Sequence, residues 1–151
     1  MSIHLENDML SITLPVGWID QSDSDVLAFT NPSTHEELAI GLGQIKQSVD
    51  SSQLAEILWR FMQSKARAFG LAPGSFTVLD AVQPTSSIPS VGTFSGLFAK
   101  NSVYSRVTVT GYVSHFVSAT YYLRNCKTVS AENVARADVV IGMCRAKSIA
   151  G

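Results

Sequence analysis

The stretch DSSQLAEILWRFMQSKARAF, Asp50 to Phe69, interrupts a run of strand-like sequence with a different apolar spacing. Leu54, Ile57, Leu58, Phe61, Met62 and Phe69 recur every three or four residues, and Gln53, Glu56, Arg60, Gln63 and Arg67 fill the other side. This predicts an amphipathic helix. Asp50 or Ser51 is placed to cap its first turn, with Gln53 completing a capping box. Gly70 is expected as the left-handed stop, and Pro73 bars resumption.

On the N-terminal side, Met9 to Leu14 alternates apolar and polar residues, ends at Pro15 and turns at Val16-Gly17. Val26 to Thr30 and Glu37 to Gln47 continue a meander through the turn Asn31 to Thr34. On the C-terminal side, Phe76 to Val82, Thr93 to Ala99, Tyr104 to Tyr112 and Phe116 to Asn125 read as strands, with turns at Asn101-Ser102 and Gly111 to His115. Gln83 to Ser90, rich in proline and serine, is expected to be a mobile loop. Ser130 to Arg145 closes the chain as a helix capped by Ser130. Val134, Ala137, Ile141 and Cys144 lie on its apolar side, and Arg145 and Lys147 suit its C-terminal dipole. The pattern predicts an α+β fold: a curved antiparallel sheet of about six to seven strands with helices packed on one face.

Composition limits the function. The 151 residues, 46% hydrophobic and 15% charged, suit a single domain spanning 1–151 with one sizeable core. With 11 Lys+Arg against 12 Asp+Glu, no chain-wide positive field exists to attract nucleic acid. The first ten residues carry Glu6 and Asp8 and lack a signal-peptide pattern, and no apolar run approaches the ~20 residues of a membrane span. A cytoplasmic protein is the expectation.

Signals for chemistry are sparse. His4, His35 and His115 stand apart from any ligand-spaced partner, and Cys126 and Cys144 fit neither a zinc nor a redox spacing. Gly92 to Gly96 only approximates a nucleophile elbow, and Gly41-Leu42-Gly43 suggests a bulge or a close backbone approach. Asp20, Asp23 and Asp25 read as turn residues. No catalytic residue, cofactor or metal is assigned.

The last strands carry the main functional expectation. Val103, Val107, Val109 and Val113, with Val117, Ala119, Tyr121 and Leu123, are expected to face the helices. Tyr104, Arg106, Thr108, Thr110 and Tyr112, then Phe116, Ser118, Thr120, Tyr122 and Arg124, would form an uncovered aromatic and hydroxyl face. Tyr112, Phe116 and Tyr122 would be anchors there, Arg106 and Arg124 would orient the partner, and Trp18 is a further candidate contact. Tyr104 to Tyr112 is also a candidate edge for homodimerisation.

Leu14-Pro15-Val16-Gly17-Trp18-Ile19-Asp20-Gln21-Ser22, followed by Val26 to Phe29, resembles the opening hairpin of the PsbP/DcrB-like superfamily. It looks in particular like the Eag-type effector chaperones associated with type VI secretion. The resemblance implies a PsbP-like, non-enzymatic bacterial protein that binds an effector as chaperone or adaptor. An immunity protein binding a toxin is the alternative within the binding class. A small-molecule binding or hydrolytic domain, with its pocket under Gln83 to Ser90, is the alternative outside it.

Overall fold

The computed structural model describes residues 1–71 and 76–149. In chain order the elements are β1 (Ile3–Glu6), β2 (Leu10–Leu14), β3 (Ile19–Asp20), β4 (Leu27–Asn31), β5 (Glu36–Gln44), α1 (Ser51–Leu71), β6 (Phe76–Val82), β7 (Ser90–Phe98), β8 (Val103–Gly111), β9 (His115–Leu123), α2 (Ala131–Gly142) and β10 (Cys144–Ala146). Seven strands form one antiparallel sheet in the order β3-β4-β5-β9-β8-β7-β6, and β1-β2-β10 form a second, smaller one.

Helix α1 begins as its sequence dictates. The Gln53 amide donates to Asp50 Oδ1 at 2.8 Å, and the Asp50 amide donates to Gln53 Oε1 at 2.9 Å. Gly70 lies inside the helix and has no positive φ, so it is not the expected left-handed stop. Pro73 falls outside the described residues. α2 is capped by Ser130 in a capping box with Asn133, but it ends at Gly142. Cys144 and Arg145, expected as the helix's last residues, instead join Ala146 in a strand that pairs with β2 from Cys144↔Ile12 to Ala146↔Leu10. β2, whose Leu10, Ile12 and Leu14 are buried, is thereby flanked on both sides, by β1 and by β10.

The seven-strand antiparallel sheet stands as expected; the placement of the helices does not. Leu54, Leu58 and Met62 of α1 pack with Phe94, Val107 and Val109 on one face. Ala137, Val140 and Ile141 of α2, together with β2, cover Leu38, Tyr104, Ala119 and Tyr121 on the other. The reason lies in the β8–β9 register, where Val107 opposes Thr120 and Arg106 opposes Tyr121. The valines of β8 therefore share a face with Ser118, Thr120 and Tyr122, and the apolar side of β9 shares one with Tyr104 and Arg106. A one-residue change of register exchanges the faces of a whole strand. Each face is half apolar, and each needs its own cover. Burying the three α1 side chains, all within 1% of complete burial, contributes about 1.5–3 kcal/mol apiece.

Two glycines permit the close packing. A Cβ on Gly43 would lie 2.2 Å from the Phe116 ring, and one on Gly41 would lie 2.7 Å from Ser118 Oγ, which bears out a close approach in β5. Residues 83–90, expected as a mobile loop, are tied back on themselves: Ser90 Oγ donates to the Thr85 carbonyl at 2.6 Å, and the Thr85 amide donates to the Val91 carbonyl at 3.2 Å.

Candidate functional site

The covered faces redistribute the residues expected to bind a partner. Tyr104 is fully buried and Arg106 is 8% exposed, both beneath the α2 side of the sheet. Phe116 and Tyr122 are half-buried on the α1 side, where Phe116 stacks edge-on with Phe61 and Tyr122 approaches Phe69. Tyr112 is half-buried against His115, and Arg124 is exposed and pairs with Glu37. Trp18 is 4% exposed within the core and is no surface anchor. Among the described residues there is no open aromatic sheet face, and these side chains do not form one surface. Nor is β8 an edge, since it lies between β7 and β9.

The charged groups under α2 are paired, whereas the buried Tyr104 hydroxyl and Trp18 Nε1 in the same core have no hydrogen-bond partner. Glu36, 2% exposed, accepts from Arg136 Nε and Nη2, both at 2.9 Å, from the Tyr121 hydroxyl at 2.6 Å and from Thr34 Oγ1 at 2.6 Å. Burial raises the Glu36 carboxyl, but the hydrogen bonds from Arg136, Thr34 and Tyr121 together outweigh it and hold the group below its ordinary value. Arg106 donates from Nε to Asp138 at 2.7 Å and from Nη1 to Asp80 at 3.2 Å, and Asp80 also takes a short hydrogen bond from Ser95 Oγ. Both clusters join strands to α2: Glu36 is saturated by donors, while Asp80 and Asp138 hold Arg106 and stay about half exposed.

Other candidates for chemistry resolve in the same direction. Among the described residues no group of three or more His, Cys, Asp or Glu side chains is placed to hold a metal. Asp20 and Asp23 accept backbone amides of their own turns. His115, 1% exposed, hydrogen-bonds Ser114 Oγ through Nδ1 at 2.9 Å and the Lys147 carbonyl through Nε2 at 2.8 Å. The carbonyl requires Nε2 to donate. No carboxylate is paired with this imidazole, and neither residue lines the larger clefts. Burial raises both cysteine thiols, that of Cys144 to about 12. Both are therefore expected to resist iodoacetamide at pH 8 in the native protein and to react within minutes in denaturant, as mass spectrometry would record; rapid native alkylation of Cys144 would contradict this.

The surface that stands out is β6, a seven-residue strand at the end of the large sheet with no neighbour beyond it among the described residues. Six of its residues are exposed, including Val78, Leu79 and Val82 at 50%, 51% and 56%. Ile88 and Val91 nearby are also exposed. Beside the strand, Trp59, Met62 and Ala66 of α1 meet Val78, Ala81 and Phe94 in an apolar groove of about 170 Å³. The one charged residue of β6, Asp80, turns inward to Arg106, at a break in register between Val78 and Asp80. It therefore does little to protect the edge against pairing. Sequence reading placed this strand but not its exposure, because alternation does not distinguish an edge from an interior strand.

No protein-family model matches the chain, and no curated protein matches it. Among solved structures it is similar to the solution structure of cyanobacterial PsbP (CyanoP) from Synechocystis sp. PCC 6803, with a TM-score of 0.66 and 14% identity over 96% of this chain and 92% of that one. Also, no helix among the described residues is long and apolar enough to cross a membrane. At that identity the likeness is one of fold, and the architecture agrees with it: this chain has a PsbP-like α+β fold.

Proposed function

We propose that this chain is a non-enzymatic bacterial accessory protein that binds another protein in the cytoplasm, as chaperone or adaptor for a secreted effector. The partner is engaged along β6. The effector role, and the link to type VI secretion, rest by analogy on the resemblance of the Leu14 to Ser22 hairpin to Eag-type chaperones.

The observation that carries the binding surface is the clustering of Val78, Leu79 and Val82 on an edge strand beside an apolar groove. An extended segment of a partner would add to β6 through main-chain hydrogen bonds and set alternate side chains against the groove and the opposite face. Affinity in that mode comes from backbone pairing, and selectivity comes from the accessible groove residues Trp59, Ala66 and Val78. Homodimerisation would use the same edge, with β6 of a second copy as the added strand.

Copurification from the native host, followed by mass spectrometry, tests the reading. Val78→Lys with Val82→Lys is expected to reduce the recovered partner at least about tenfold, as loss of a central contact does. Both side chains are exposed, so melting should be nearly unchanged. Undiminished recovery would remove β6 from the reading. A recovered toxin whose growth inhibition this chain relieves would replace the chaperone role with an immunity role, and a dimer by sedimentation that the double variant abolishes would identify self-pairing.

A further inference from the structure

A second surface is independent of β6. At the end of the large sheet where β5 and β8 begin and β9 finishes, three chain turns enclose an open cleft of about 640 Å³. Its rim carries Lys100, Arg124, Lys127 and His35. No Asp or Glu lines it, in a protein whose carboxylates outnumber its Lys and Arg by 12 to 11. Lys100 and Lys127 take part in no ion pair among the described residues, and Arg124 pairs with Glu37 behind the rim. Glu36, the buried carboxylate at the start of β5, is already paired with Arg136. The charge left over at this cleft is positive.

The backbone is unusual at the same place. The non-glycine residues with left-handed φ among those described are His35, Ser102 and Asn125, at 62°, 55° and 56°, and all three line this cleft. The turns are fastened to one another: the Arg124 amide donates to the His35 carbonyl at 2.9 Å, and the Cys126 amide donates to the Ser102 carbonyl at 2.7 Å. Left-handed backbone at non-glycine residues persists where its surroundings impose it, and such residues gather at ligand clamps. The cleft's size is that of a small-molecule site, and its lining mixes lysine, arginine, asparagine, serine and threonine with Leu123 and Cys126, which suits a charged occupant with some apolar surface.

We infer that this cleft binds a small phosphate-bearing molecule, with Lys100 and Lys127 supplying charge and Arg124 supplying directed donors from the guanidinium N–H groups that do not face Glu37. Arginine matches two phosphate oxygens at once, whereas lysine acts as a mobile point charge, so the two types divide orientation from attraction. The turn residues Asn101 and Asn125 add neutral donors at the same rim.

The test is a titration of the isotopically labelled full chain with inorganic phosphate, followed by amide chemical shifts at constant ionic strength set with chloride. Saturable shifts confined to residues 34–35, 100–102 and 124–128 are expected. Lys100→Ala with Lys127→Ala should weaken them about tenfold or more. Lys46→Ala, an exposed substitution just past the opposite end of β5, should leave them unchanged. Shifts that fail to saturate by ~20 mM phosphate, or that spread equally over all lysine-bearing segments, would overturn the site, because unspecific attraction is screened beyond about 8–10 Å at such ionic strength. Unchanged binding in the double variant would overturn the assignment of the two lysines. None of these outcomes depends on β6.

Discussion

Glu36→Ala is expected to lower unfolding stability by about 2–4 kcal/mol, because it strands a buried hydroxyl donor and breaks an ion pair of which only the carboxylate is buried. The carboxylate is 2% exposed and accepts four hydrogen bonds from three elements of the fold: the β4–β5 turn through Thr34, β9 through Tyr121 and α2 through Arg136. Its loss leaves the fully buried Tyr121 hydroxyl without its acceptor and the Arg136 guanidinium, 43% exposed, without its partner. The tyrosine accounts for much of the cost, since a stranded buried donor costs about 1–3 kcal/mol. Arg136 can turn partly to water, which keeps the total from going higher. For a chain of this length the loss corresponds to roughly 10 °C in melting temperature. The sign with pH follows from the same bonds. The folded carboxyl titrates below its unfolded value, so its contribution is fully present above the unfolded value of about 4.3 and disappears as pH falls through the folded one. Wild type should thus lose stability below about pH 4 more steeply than Glu36→Gln. Denaturant melts of both proteins between pH 7 and pH 3 measure this, and parallel curves would contradict the assigned role.

How much of this was legible beforehand depended on whether the signal was local. The long elements announced themselves: the 3.6 spacing from Leu54 to Phe69, the reciprocal Asp50 and Gln53 cap and the Ser130 cap all lie within a few residues of what they control. β1, β3 and β10 are two to four residues long, too short for alternation to register. The assignment of faces failed for a different reason. Within β8 and β9 the parity was legible, but which parity of one strand joins which of the other is set by the Gly111↔Phe116 closure of their hairpin. Arg106 therefore has the strand position of a rim residue but is an internal tie. Glu36 and Arg136 stand 100 residues apart, and no spacing rule connects them. The cleft at Lys100, Arg124 and Lys127 was hidden likewise, since its cations become neighbours only when three turns meet.

The same internal tie leads to the second large effect, which lies in a pair of substitutions and not in either alone. Arg106 is 8% exposed and reaches two carboxylates: Asp138 on α2, and Asp80 on β6. Both carboxylates are about half exposed, so either can be lost while the guanidinium keeps the other, at a cost of about 1 kcal/mol each. Asp80→Ala should be the worse of the two because Ser95 Oγ, itself buried, also loses its acceptor. Removing both leaves a buried cation without a counter-charge, for which about 3–5 kcal/mol is expected, well beyond the sum of the single effects. Arg106→Met in that doubly substituted background should restore most of the loss, since an apolar side chain of similar length needs no counter-charge in the layer between β8 and α2. A denaturation cycle over these variants gives the coupling directly. If Asp80→Ala and Asp138→Ala prove additive, and methionine restores nothing, then Arg106 reaches water in the folded protein and does not bind β6 and α2 into one body.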